Sequence, residues 1–195
     1  MALAAVIYIY ILLGSIDSEE PQYQSFLGEL IAVDPTLNGY VYLEASGLVD
    51  DDFIASEEVN KIRKSLESGE HDVEFMQQTV EIYRDQINAF KIAAAMPYLQ
   101  YNGKDDPTEL PSFVPLLNGI RLILLEAKLL AGEWRIGEAT DNLILAWHFS
   151  EKLKRMNGYL VSYMIGIVSQ DEVLTSLQRM ITDHDFSEAY LIKII

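Results

Sequence analysis

Apolar residues recur along most of this chain at spacings of three and four. Between Asp72 and Pro97 the series Val73, Met76, Val80, Tyr83, Ile87, Phe90 and Ala94 keeps one side of a helix apolar. That series predicts one long helix with a single packed seam, ended or kinked by Pro97. Upstream, Asp34-Pro35 joins an N-cap acid to a proline at the first helical position, so a helix is predicted from Pro35 to about Ser46, closed by Gly47. Ser56 caps a second helix with Val59, Ile62 and Leu66 as its stripe and Gly69 as its stop.

Downstream, Pro115 to Ala131 is apolar almost all round, with Leu122 and Leu129 opposite Ile120, Leu124 and Ala127. Such a helix belongs at the centre of a bundle, and Gly132 closes it. Ile136, Ala139, Leu143, Ala146, Ser150 and Leu153 form the stripe of the next helix, stopped at Asn157-Gly158. The last long helix is predicted from Tyr159 to about Ile181 through Leu160, Met164, Ile167, Leu174, Leu177 and Ile181. Asp185 with Glu188 makes a capping box for a final helix that ends in YLIKII. The stretch YLQYNGKDDPTELPS, residues 98–112, carries turn signals throughout and reads as a loop.

No segment alternates cleanly enough to compete as a sheet. The prediction is an all-α fold, a single irregular bundle of about six to seven helices with an N-terminal apolar helix. Residues 1–16 stand apart as a probable anchor, 17–24 as a linker and 25–195 as the helical domain.

The N-terminal run MALAAVIYIYILLGSI carries no charged side chain and is followed at once by Asp17, Glu19 and Glu20. A run that is apolar on every side must be buried in protein or in lipid. As a helix, Ala2 to Ile16 would extend about 22 Å, less than the roughly 30 Å of a bilayer's hydrocarbon. No Lys or Arg occurs before Lys61, so the basic start of a cleavable signal is missing, and the chain has no Cys to lipidate. The expectation is a membrane anchor, with a core or interface helix as the alternative. The acidic flank without basic residues places the rest of the chain outside the cytoplasm. Both ends break off in apolar runs, which suits a piece of a longer chain.

Composition narrows the partners. Half of the 195 residues are hydrophobic, enough for one sizeable core. Against 14 Lys and Arg stand 30 Asp and Glu, a net charge of -16, and that field repels phosphate backbones. Nucleic acid is not an expected partner; the membrane and another protein are.

Without cysteine there is no thiol nucleophile, disulfide or thiolate metal site. His71 and His184 each sit beside an Asp at a predicted helix start, and His148 is part of no His-x-x-x-His or Glu-x-x-His pair. Asp50, Asp51 and Asp52, with Glu57 and Glu58, are runs of acids without the glycine a calcium loop needs and read as a solvated turn and helix start; Asp105 and Asp106 read as solvated in the same way. No metal and no cofactor is expected. Arg121 and Glu126 are charges in an otherwise apolar helix, and a buried charge must find a partner or neutralise. Asp141 and His148 share a face two turns apart. These four residues are the candidate binding residues; no phosphate loop or nucleophile elbow accompanies them.

The segment RLILLEAKLLAGEWRIGEATDNLILAWHFSEKL resembles a tetratricopeptide-type helical hairpin, with Ala127 in the first helix, Gly132 at the turn and Glu138-Ala139 opening the second. NGYVYLEASG, RLILLEAKLLAGE and GYLVSYMIGIV together resemble a group of uncharacterised bacterial membrane-anchored helical proteins. That resemblance implies an N-terminal anchor and a helical domain in the periplasm or at the cell surface, and no particular activity. The functional expectation is a membrane-anchored extracytoplasmic domain that binds or scaffolds another protein. The alternative is a small-molecule or lipid-binding bundle, or an enzyme with a site between helices near Arg121 and Glu126.

Overall fold

The computed structural model describes residues 33–50, 52–68, 72–101, 112–156 and 160–183. Among them are a 3-10 turn (Pro35–Leu37) and seven α-helices: α1 (Gly39–Ala45), α2 (Ser56–Glu67), α3 (Val73–Ile82), α4 (Arg84–Ala95), α5 (Val114–Gly132), α6 (Ile136–Lys154) and α7 (Leu160–Asp183). The described residues form an all-helical bundle. The expected anchor 1–16, the linker 17–24, most of the 98–112 loop and the helix after Asp185 lie outside them. So do His71, His184, Asp51, Asp105 and Asp106.

The helix predicted from Pro35 to Ser46 is split. Asp34 accepts from the Thr36 backbone N–H at 2.9 Å and starts only the 3-10 turn. The buried Asn38 then breaks the run, because its side chain is bound elsewhere: Oδ1 caps α1 at Tyr40 N (3.1 Å) and accepts from Gln100 N (2.9 Å), while Nδ2 donates to Gln100 O (2.7 Å). Gly39 N donates to Tyr98 O at 2.8 Å, so this stretch is tied to residues 98–100. The backbone there leaves no room for a side chain, since a Cβ on Gly39 would lie 2.6 Å from Ala93 O.

The long seam from Val73 to Ala94 is present with a bend. Tyr83 departs from helical geometry (φ -101, ψ 19), yet Tyr83 N still donates to Thr79 O and Ile87 N to Tyr83 O. Met76 and Ile87 enter a cluster with Ile54, Ile62, Leu122, Leu125 and Leu129, while Phe90 and Ala94 enter a larger one that reaches α1, α6 and α7. Val73, at the start of the seam, is exposed.

α5 lies between these two clusters. Leu122, Leu125 and Leu129 face one, and Ile120, Leu124, Ala127 and Leu130 face the other, all buried. A helix covered on both sides needs no polar face, which is why its sequence shows so little of one.

α7 packs differently from its apolar stripe. In its C-terminal half Val173, Leu177 and Met180 are buried. In its N-terminal half the buried residues are Ser162, Gly166, Ser169 and Gln170, and the predicted stripe residues Leu160 and Met164 are 64% and 57% exposed. Small residues decide the side. A Cβ on Gly166 would stand 2.6 Å from Lys154 Cγ and 2.9 Å from both Lys154 N and Ser150 O, so α6 and α7 approach closely only through this face.

Candidate functional site

A groove of about 500 Å³ lies between the α3–α4 pair and the α5–α6 hairpin. Its floor is apolar, supplied by Val80, Ile87, Leu129 and Leu130, and its walls are charged. Glu126 is one of the lining residues. Its Oε2 takes the Lys91 ammonium and accepts from Asn142 Nδ2 at 2.9 Å, so three helices meet on one carboxylate oxygen. With side chains only 20–25% exposed, Lys91 and Glu126 sit where solvent screens them weakly.

At the rim, Arg135 holds Glu138 through Nε–Oε1 (2.8 Å) and Nη2–Oε2 (2.6 Å), and reaches Glu133 at 3.3 Å. The bond to Glu138 raises the proton affinity of Arg135, and the same bond lowers that of Glu138. Both groups are therefore held more firmly in their charged forms. Arg84 pairs with Glu81 on the opposite wall.

Between Glu133 and Arg135, both of which line the groove, stands Trp134. It is 72% exposed and has φ 62, the left-handed region that a side chain other than glycine occupies at a cost. The reason is the way α5 ends. Trp134 N donates to Ala131 O (3.0 Å) and Arg135 N to Leu130 O (2.9 Å), a helix-ending turn that requires a left-handed residue at position 134. α1 ends in the same turn: Gly47 N donates to Glu44 O and Leu48 N to Leu43 O, with Gly47 at φ 68. One turn carries the glycine that suits it; the other carries a tryptophan.

The four residues singled out by sequence do not form one site. Arg121 turns away from the groove and links α5 to α7, with Nε 3.1 Å from both Glu172 oxygens, Nη2 2.6 Å from Oε1 and Nη1 3.4 Å from Asn118 Oδ1. At 12% exposure it is a structural clamp between helices. Asp141 and His148 are both exposed on α6, about 100° around the helix from Asn142. Glu126 alone of the four lines the groove. Among the described residues, no group of three or more His, Asp or Glu side chains could hold a metal ion.

Two further cations cap a helix. Lys128 Nζ donates to Ser65 O (2.5 Å) and Ser68 O (3.0 Å), and Arg179 Nη2 to Glu67 O (2.6 Å), so both meet the negative end of α2. Burial, and then the neighbouring Arg179, lower the proton affinity of Lys128.

Lys91, Asn142, Trp134 and Arg135 were not singled out by the sequence, and all but Trp134 line the groove. The two tryptophans of the chain are a signal for the third of them, since one falls in the α5–α6 turn two residues after Gly132. Neither the protein-family models, nor the curated proteins, nor the solved structures compared with this chain include a match to it.

Proposed function

We propose that this chain is a protein-binding domain whose groove between α3–α4 and α5–α6 receives a segment of another protein, with the exposed Trp134, next in the chain to the groove residues Glu133 and Arg135, as an anchor. The observation that carries the reading is Trp134 itself. It is exposed, it stands in the chain between two groove residues, and it occupies a left-handed backbone position that glycine adopts more readily. Strain of this kind persists where it serves a site. Tryptophan and arginine side by side are also the residue types that dominate binding energy at interfaces.

The groove chemistry fits a peptide with apolar anchors and charges of both signs. Apolar side chains would meet Val80, Ile87 and Leu129, while carboxylates would compete for Arg135 and Arg84 and ammonium groups for Glu133 and Glu138. The shifts of Arg135 and Glu138 toward their charged forms suit ion pairing better than proton transfer at neutral pH.

Panning a random peptide library on the full chain tests this reading. It expects enriched peptides that quench the fluorescence of the Trp147→Phe chain, in which Trp134 is the sole tryptophan, and that lose at least tenfold in affinity with Arg135→Ala, and no enrichment over background would refute it. The volume of about 500 Å³ also suits a small zwitterionic molecule. Titration with free amino acids separates that second reading, which predicts saturable binding without any peptide.

The membrane anchor expected of residues 1–16 lies outside the described residues. Among those described, no helix is long and apolar enough to cross a membrane.

A further inference from the structure

The outer face of the first half of α7 is apolar and uncovered. Leu160, Val161, Tyr163, Met164, Ile167 and Val168 are all more than two-fifths exposed. At roughly 100° per residue they fall within an arc of about 160°, so they form one continuous patch. The patch stops at Asp171, after which the apolar side of the helix turns inward to Val173 and Leu177. Contiguous apolar faces of this kind mark places where something docks.

We infer that the occupant is the chain's own N-terminal apolar segment, residues 2–16. Three observations select it. The segment has no charged residue in its length and must be buried somewhere dry, which this face provides. It can reach: the described chain starts beside Asn38 and Gly39, which are tied to Ala93 and Tyr98. Lys152 of α6 bonds Ala94 O at 2.5 Å, and two residues further on Lys154 packs on Gly166 of α7. α6 and α7, together about 20 Å across, thus separate the start of the described chain from the patch, while residues 17–32 extended would span about 50 Å. Charge also favours it, because a second copy would bring together two chains of net charge -16, whereas the uncharged segment adds no repulsion.

Residues 184–195 are a poorer fit. They leave α7 at Asp183, about 28 Å along the axis from Met164.

The absence of cysteine makes the test clean, since engineered thiols face no background. Met164→Cys is combined in the full chain with Ile7→Cys, Ile9→Cys or Ile11→Cys, three positions that scan the alignment, and mildly oxidised. At least one pair is expected to close an intramolecular disulfide in most chains, which needs Cα atoms within roughly 7 Å and gives a yield unchanged by dilution. The same thiols paired with Asp141→Cys on α6 should stay reduced. As a second measurement, maleimide should label Met164→Cys slowly in the full chain. Disulfides between chains, rising with concentration, would overturn the inference in favour of a second copy. Fast labelling of residue 164 with the segment partitioning into phosphatidylcholine vesicles would overturn it in favour of lipid. Neither outcome bears on peptide binding at the groove.

Discussion

Asn142 donates its side-chain amide to Glu126 across the α5–α6 interface, with Nδ2 2.9 Å from the oxygen that also takes the Lys91 ammonium. One carboxylate therefore joins three helices that line the groove. Removing Lys91 leaves Glu126 with a single neutral partner. We expect Lys91→Met to destabilise the chain by about 1–2 kcal/mol, a figure kept low because both side chains retain some solvent. In a double-mutant cycle with Glu126→Gln the two positions should couple by about 1 kcal/mol, less in high salt. Zero coupling in urea unfolding at low salt would show that the pair does not hold the groove together.

Gly119 of α5 faces the ring of Phe90 on α4 so closely that an added Cβ would overlap the ring edge. Phe90 is fully buried and contacts Phe149 edge-on at 6.2 Å, so it has nowhere to move. Gly119→Ala is expected to cost about 2–3 kcal/mol by overpacking. Phe90→Leu in the same chain should recover part of that loss. If Gly119→Ala unfolds at the wild-type urea midpoint, α4 and α5 are not in close contact there.

Tyr40 sets an alkaline limit. Its phenol is buried, and burial first, then the charges of Glu44, Tyr101 and Asp50, hold its pKa well above the ordinary 10.0. Below pH 10 the phenol is neutral in both folded and unfolded chains, so its protonation costs nothing. Above pH 10 the unfolded chain releases the proton and the folded chain retains it, so stability falls as pH rises, by at most about 1.4 kcal/mol per pH unit for this one proton. Tyr40→Phe should flatten the stability profile above pH 10 and leave its shape near neutrality unchanged. Equal slopes in the two proteins would remove Tyr40 as the cause.

How much of this was legible depends on what each feature needs. α5 could be placed at the centre because a helix apolar on all sides has to be covered on all sides. The first half of α7 could not be oriented that way. Its packing is decided by the small face Ser162, Gly166 and Ser169, which an apolar stripe does not record, so Leu160 and Met164 face outward where the stripe predicts burial. The split at Asn38 depends on Gln100, 62 positions away.

The groove follows the same logic. Glu126 was visible as a charge within an apolar helix, but Lys91 and Asn142 find it only through the register of α4 and α6 against α5. Gly132 drew the predicted end of α5 to itself, whereas the left-handed position falls two residues later on Trp134.

Trp134→Gly is the most direct test of the account, because it separates stability from binding. Glycine suits a left-handed φ of 62, as Gly47 does in the matching turn, and the side chain removed is mostly exposed. The account predicts that Trp134→Gly gains about 1 kcal/mol in unfolding free energy while affinity for groove-selected peptides falls at least tenfold. A variant that binds those peptides as tightly as the wild type would contradict it, whatever its stability.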